Sequence, residues 1–225
     1  MSMSPRWLYL HGFASGPESY KGVALAAHYA RQGQHLERLN LRQPSLERLS
    51  LGAMMRTVRE AMGGERERVV LFGSSLGGLT ACHVAEEDAR VCALVLLAPA
   101  LRASEQLRRR LGEEAVREWR ESGWLTTQDY AEKRPARVHF DFIRELDALE
   151  ARGEGWPDVR VPTLIVHGRQ DTTTHVAYSR DWARDRRHVR LVEVEDGHEL
   201  VASLARITTE ADQFLQPFLG RLPSD

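Results

Sequence analysis

The chain has 225 residues, of which 42% are hydrophobic, and its 31 basic and 32 acidic side chains leave a formal net charge of −1. This length predicts one domain over residues 1–225 with a single core, and the scattering of both charge signs argues against a nucleic-acid partner. The two cysteines, Cys82 and Cys92, lie in apolar stretches, and the first apolar run is too short for a signal peptide or a membrane span, so a cytoplasmic protein without a membrane partner is expected.

Six β-strands are predicted. Four are short apolar runs, which are typical of strands buried on both faces of a sheet. The other two alternate apolar and polar residues, as strands at a sheet edge do. In chain order the six strands cover residues 7–10, 35–41, 69–72, 91–97, 163–166 and 189–194.

Apolar residues recur with helical spacing between these strands. The pattern runs from Leu51 to Met62 and again from Leu200 to Phe218, and a further helix-forming run covers residues 79–85. Because strands alternate with helices, we expect an α/β protein with a mostly parallel sheet and helices on both of its faces.

Residues 101–156 interrupt this alternation. They contain helical pieces at residues 105–111, 113–119 and 141–151 but no convincing strand, so we expect a small helical lid inserted into the domain. Three consecutive arginines, Arg108 to Arg110, are interpreted as a solvated helix face, with contact to an anionic substrate group as the alternative.

A Gly-x-Ser-x-Gly pattern follows the third predicted strand directly. Gly73 and Gly77 flank Ser75, and a predicted helix comes next. A strand-to-helix turn as tight as this leaves no room for side chains at the flanking positions, and it projects the serine from the carboxyl edge of the sheet. This context favours a nucleophile elbow over the alternative, a surface turn made of small residues.

A serine nucleophile requires a histidine base and an acid that orients the histidine. Of the nine histidines, His198 lies in the loop after the last predicted strand, which opens on the same sheet edge as Ser75. Asp171 follows the fifth predicted strand in a glycine-containing loop at that edge. The order Ser75, Asp171, His198 is the chain order typical of a triad on such a sheet, and His167 is interpreted as packing or polar structure.

Acyl transfer to a serine also requires donors for the oxyanion of the tetrahedral intermediate. The backbone amide of Leu76, which follows the nucleophile, is expected to supply one. Phe13 or Ala14, in the loop at residues 11–16, is expected to supply the other, with an ordinary turn as the alternative for this loop. His11 in the same loop is expected to line the site.

Four segments carry a resemblance to the α/β-hydrolase superfamily. They are His11-Gly12-Phe13 and residues 73–77, 167–171 and 196–198. The chain is most similar to small bacterial esterase-like members in which a His-Gly-Phe oxyanion loop is followed by a Ser-Tyr-Lys segment, here ending at Lys21. The chain departs from the family at one point, since only residues 1–6 precede the first predicted strand, where the family usually has two antiparallel strands. We therefore expect a shortened, six-stranded sheet in the order 2-1-3-4-5-6.

The resemblance and the residue chemistry imply a serine esterase that hydrolyses small-molecule carboxylic esters of small to medium acyl groups. Acyl-thioester hydrolysis uses the same triad, and a receptor-like protein can keep the fold without turnover, so both stand as alternatives. No metal cluster or dinucleotide motif is recognised, so no metal and no cofactor are expected, and no pattern indicates an oligomeric state. The expected pocket lining comprises His11, Phe13, Ala14, Trp119, Trp124, Phe140 and Trp156.

Overall fold

A six-stranded sheet, parallel throughout, forms the centre of the molecule. The computed structural model describes residues 4–152 and 155–218. Its strands are β1 (Arg6–Leu10), β2 (Leu36–Leu39), β3 (Val69–Ser74), β4 (Val91–Leu97), β5 (Trp124–Asp129), β6 (Arg134–His139), β7 (Thr163–Gly168) and β8 (Val189–Val194). The sheet runs β2-β1-β3-β4-β7-β8, while β5 and β6 pair with each other apart from it. Counted among the six sheet strands alone, the order is 2-1-3-4-5-6, and the predicted α/β fold class is confirmed.

Helices cover both faces of the sheet. They are α1 (Tyr20–Ala30), α2 (Leu51–Ala61), α3 (Leu76–Glu87), α4 (Ala103–Ser122), α5 (Asp141–Glu150), α6 (Val176–Ala183) and α7 (Leu204–Leu215). The sequence patterns did not predict α1 and α6. Two of the four buried positions of α1 are Lys21 and Gly22, and α6 has only eight residues, so neither helix shows a long apolar stripe.

Successive residues of the strands face opposite layers of the core. Trp7, Tyr9 and Phe72 pack on the face that carries α1 and α7, while Leu8 and Leu10 pack on the face that carries α2 and α3. All residues of β3 and β4 are buried, which explains why these central strands appear in the sequence as continuous apolar runs.

The lid contains a β-hairpin as well as helices, so the prediction of a lid without strands was wrong. Strands β5 and β6 form an antiparallel pair in which Gln128 is opposite Pro135. A proline inside a run argues against a strand, but a two-stranded ribbon has free edges where proline is tolerated. The two helical pieces predicted on either side of Gly112 belong to α4, which is interrupted there by a φ of +79°. Residues 153 and 154 of the predicted lid lie outside the described residues.

Charged side chains attach the lid to the rest of the domain. Arg42 donates two hydrogen bonds, of 2.8 and 2.5 Å, to the carboxylate of Asp129, which is fully buried at the end of β5. On α5, the Glu145 carboxylate accepts from the amides of Leu51 and Gly52 at 2.9 and 2.7 Å. These amides form the N-terminus of α2, where negative charge is stabilised. The lid is therefore attached at two separated places.

In the part of the chain that the structure describes, none of the helices combines the length and apolar character needed to cross a membrane.

Candidate active site

Ser75 lies in a tight turn between β3 and α3. Its backbone has φ +52° and ψ −117°, a conformation that side chains rarely adopt. A Cβ atom at Gly73 would come within 2.6 Å of the Gly77 carbonyl oxygen, and one at Gly77 within 2.1 Å of the Leu10 carbonyl oxygen. Both positions therefore require glycine, because the helix starts directly against the sheet.

The structure brings the three side chains of the expected triad together at the carboxyl edge of the sheet. Ser75 Oγ lies 3.1 Å from His198 Nε2, and His198 Nδ1 lies 2.7 Å from Asp171 Oδ2. Ser75 follows β3, Asp171 follows β7 and His198 follows β8, so three different strands of the edge contribute one residue each. In the tautomer with the proton on Nδ1, His198 donates to Asp171 and accepts from the serine hydroxyl.

Asp171 is buried but surrounded by donors. Its Oδ1 accepts from the amides of Thr173 and Thr174, both at 2.8 Å, and the Thr174 hydroxyl lies 2.9 Å from Oδ2. Burial alone would raise the pKa of this carboxyl, but the hydrogen bonds from His167 and His198 outweigh it and hold the pKa well below its ordinary value. Asp171 is therefore ionised at neutral pH.

His167 and Thr174 support the acid and were not predicted as site residues. His167 Nε2 lies 2.6 Å from the Thr174 carbonyl oxygen and 3.2 Å from Asp171 Oδ2, and its Nδ1 lies 2.8 Å from Ser179 Oγ. The buried ring thus holds the loop that carries Asp171. The sequence signal available was the i, i+4 spacing of His167 and Asp171, which alone does not distinguish support from packing.

The loop that follows β1 passes directly over the serine. A Cβ atom at Gly12 would lie 3.2 Å from Ser75 Cβ, so the chain at Gly12 runs next to Ser75. Leu76 is the first residue of α3, and its amide therefore has no helical carbonyl partner. The carbonyl of Ala14 accepts a hydrogen bond of 2.9 Å from the amide of Tyr130 in the lid hairpin.

A cavity of about 320 Å³ opens at Ser75 and His198 beneath the lid. Its volume is at the lower end of the roughly 300–1,000 Å³ typical of small-molecule sites. The apolar part of its wall comes from Phe13, Leu76, Ala100, Ala103, Leu107, Leu111, Trp119, Leu125, Phe142 and Leu146. Polar residues of the wall include Gln106, Arg110, Tyr130, Thr173, Thr174 and Glu199.

Of the predicted lining residues, Phe13 and Trp119 line the cavity. The predictions for Trp124, Phe140 and Trp156 were wrong, because these rings pack elsewhere on the lid. Trp124 lies under the Arg137 guanidinium at 4.1 Å, Phe140 packs edge-on against Trp119, and Trp156 packs near Tyr178.

The predictions for His11 and Ala14 as lining residues were also wrong, because both residues of the loop are buried away from the cavity wall. His11 Nε2 accepts from the amide of Leu41 at 3.0 Å, and Nδ1 donates to the Gly12 carbonyl at 2.9 Å. Burial lowers the pKa of His11, so the ring is neutral and holds the loop in place.

Within residues 4–152 and 155–218, no group of three or more His, Cys, Asp and Glu side chains is arranged to hold a metal ion.

Comparisons with solved structures agree on the fold. The chain is 20% identical to mouse alpha/beta hydrolase domain-containing protein 10, with a TM-score of 0.78 over 96% of this chain and 92% of that one. It is 20% identical to Est1E from Butyrivibrio proteoclasticus, solved with ferulic acid bound, with a TM-score of 0.75 over 97% and 91% of the two chains. The esterase domain of a Rhodothermus marinus protein is also 20% identical, with a TM-score of 0.63 over 98% and 90%. These likenesses confirm the expected α/β-hydrolase fold.

A search among curated proteins found no match. A family model described as an uncharacterised protein family, UPF0227, matches residues 6–216. Since this match spans nearly the whole chain, the protein belongs to the UPF0227 family and has the α/β-hydrolase fold.

Proposed function

We propose that this protein is a serine hydrolase that cleaves carboxylic esters of small to medium apolar acyl groups. The observation that carries the proposal is the chain of contacts from Ser75 Oγ through His198 to Asp171, with distances of 3.1 and 2.7 Å, at the mouth of an apolar cavity. A hydroxyl, a base and an orienting acid in this geometry support nucleophilic attack on an acyl carbonyl.

In the first half of the reaction, Ser75 Oγ attacks the ester carbonyl carbon while His198 Nε2 takes the hydroxyl proton. The carbonyl π pair moves to oxygen, and the amides of Leu76 and Phe13 donate to that oxyanion, beside the positive end of α3. Collapse of the intermediate breaks the ester C–O bond. His198 then gives its proton to the leaving alcohol, and the acyl group stays on Ser75.

In the second half, a water molecule replaces the alcohol. His198 takes a proton from this water, the hydroxide adds to the acyl carbonyl, and the proton returns to Ser75 Oγ as the acid is released. Asp171 stabilises the imidazolium in both halves, and its low pKa keeps it ionised while it does so.

The lid defines the acyl group that this site accepts. An apolar wall lies opposite the nucleophile. It is formed by Leu107, Leu111 and Trp119 of α4, Leu125 of β5 and Leu146 of α5. An apolar acyl chain fits this wall because its burial is favourable, by about 0.8 kcal/mol for each methylene group. The modest volume of the cavity favours short and medium chains over long ones.

A fluorophosphonate probe tests the nucleophile. Wild-type protein should be labelled at one site, Ser75→Ala should not be labelled, and Ser74→Ala should be labelled like the wild type because it changes only the neighbouring serine. Unlabelled wild-type protein would favour the receptor-like alternative. Equal labelling of Ser75→Ala would refute the assignment of the nucleophile.

Turnover of matched substrates tests the class of bond. An aryl ester and an acyl thioester with the same acyl chain should be compared by kcat/KM, and the ester should be the better substrate. A large preference for the thioester would replace the proposed esterase activity with acyl-thioester hydrolysis.

A further inference from the structure

Lys21 is a buried cation next to the proposed catalytic base. It lies in the first turn of α1, and its side chain is only 7% exposed. The ammonium donates a hydrogen bond of 3.2 Å to the backbone carbonyl of His198, and it lies 3.7 Å from a carboxylate oxygen of Glu199. A buried charge is costly unless it is paired, so this contact is a built feature of the site.

The charges around Lys21 come from the loops that carry the acid and the base. Burial lowers the pKa of Lys21 from its ordinary value, whereas the carboxylates of Glu199, Asp171 and Asp196 act in the opposite direction. Three negative groups therefore offset part of the cost of burying the ammonium. Its closest hydrogen-bond acceptor is nevertheless a neutral backbone carbonyl, that of His198.

The residue type at this position is itself informative. Of the 31 basic residues only Lys21 and Lys133 are lysines, and all others are arginines. A compact ammonium suits a single carbonyl acceptor in a confined space, whereas a planar guanidinium needs a wider, two-pronged partner. The space is confined, because the Lys21 side chain is only 7% exposed.

The His198 loop needs such a contact because the hydrogen bonds that the structure describes within the loop are made by residues on either side of the histidine, not by the backbone of His198 itself. Asp196 accepts from the amides of Gly197 and Ser203 at 2.7 and 2.9 Å, and Leu200 has a positive φ of 53°. Asp171 holds the imidazole ring, but the ring can reach Ser75 only if the backbone of His198 is also held. Lys21 supplies that contact from α1.

We propose that Lys21 is a positioning residue, whose ammonium holds the His198 backbone so that Nε2 stays within reach of Ser75 Oγ. This inference rests on the proposed hydrolase function. It assigns a task to a residue that does not touch the reacting atoms and acts only through His198.

The test replaces Lys21 by methionine, which keeps the length of the side chain and removes its charge and donors. We expect kcat of Lys21→Met to fall by about ten- to a hundredfold, with KM within about twofold of wild type, because misplacement of a base slows chemistry more than binding. The fluorophosphonate should still label one site per chain, but at a correspondingly lower rate. Lys133→Met, which changes the exposed lysine of the lid hairpin, should match the wild type in rate and stoichiometry.

Two results for Lys21→Met would overturn the inference. One is a wild-type rate of labelling and turnover. The other is a reduced number of labelled sites with an unchanged rate per labelled molecule, which indicates loss of folded protein only. Wild-type protein that neither labels nor turns over esters would instead overturn the proposed function, and the positioning role with it.

Discussion

The carboxyl edge of the sheet and the lid are held in different ways. At the sheet edge, close backbone packing fixes the position of the Ser75 turn. Strands β3 and β4 are buried along their whole length, and Gly77 lies directly against the Leu10 carbonyl. In the lid, charged side chains add to the packing of Phe142, Ile143 and Leu146 on the core, above all Arg42 with Asp129 and Glu145 with the N-terminus of α2. The proposed chemistry therefore lies on the part of the molecule that tolerates least change, while the attachment of the lid depends in part on replaceable charged groups.

The largest expected effect comes from the sheet edge. Gly77→Ala places a Cβ atom 2.1 Å from the Leu10 carbonyl oxygen and 2.6 Å from that of His11, and neither backbone atom can move aside. We expect a loss of unfolding free energy above about 4 kcal/mol and little folded protein, measured by circular dichroism and soluble yield. Gly64→Ala is the control, because nothing lies within 4 Å of its Cβ position. A stable Gly77→Ala protein would show that the helix does not start against β1.

The ion pair of the lid should have the next largest effect. Arg42→Met leaves the buried Asp129 carboxylate without its cation, and breaking one partner of a buried pair costs about 3 kcal/mol. Chemical denaturation of Arg42→Met, Asp129→Leu and the double variant measures the coupling. The double variant should lose clearly less than the sum of the two single losses, and strict additivity would mean that the pair does not hold the lid.

The same pair predicts a pH dependence. The hydrogen bonds from Arg42 lower the pKa of Asp129 in the folded protein, so this carboxyl stabilises the fold above about pH 4, its unfolded pKa, and the stabilisation is lost as the pH falls towards the folded pKa. The difference in unfolding free energy between wild type and Asp129→Asn should therefore shrink by about 1 kcal/mol between pH 7 and pH 3. A difference that stays constant or grows on acidification would contradict this.

The smallest effect concerns the substrate wall. Leu111 lines the cavity and is half-buried, so Leu111→Phe fills part of the proposed acyl-binding cavity without opening the core. We expect kcat/KM for an octanoyl ester to fall about tenfold relative to an acetyl ester. Trp156→Phe, which lies outside the cavity, should leave this ratio within about twofold. If both variants shifted the ratio equally, the lid would not act through the cavity wall.

The difference between the two regions also explains what the sequence could predict. Local sequence patterns specify the sheet strands, the turn around Ser75 and the loops with Asp171 and His198. The positions of these elements could therefore be predicted from the order of apolar runs and glycines along the chain. The β5–β6 hairpin was missed because Pro135 and the neighbouring arginines resemble a loop when only local sequence is considered.

The supporting residues were missed for another reason. Lys21 meets the His198 loop across 177 positions of chain, and Thr174 meets Asp171 through a loop whose course no periodicity describes. Likewise, the tryptophans of the lid were predicted as lining residues from their apolar character alone. Trp124 and Trp156 pack against arginines of the lid instead, and smaller leucines face the cavity.

The strained backbone of Ser75 has a consequence for engineering. A residue other than glycine in this sparsely populated conformation, with φ +52° and ψ −117°, costs about 1–3 kcal/mol, so Ser75→Gly should give a more heat-resistant protein that has lost its proposed nucleophile. Laboratory evolution for thermal tolerance alone would then favour an inactive chain. Selection schemes for this fold should reward turnover and heat resistance together, because at position 75 turnover requires serine whereas stability favours glycine.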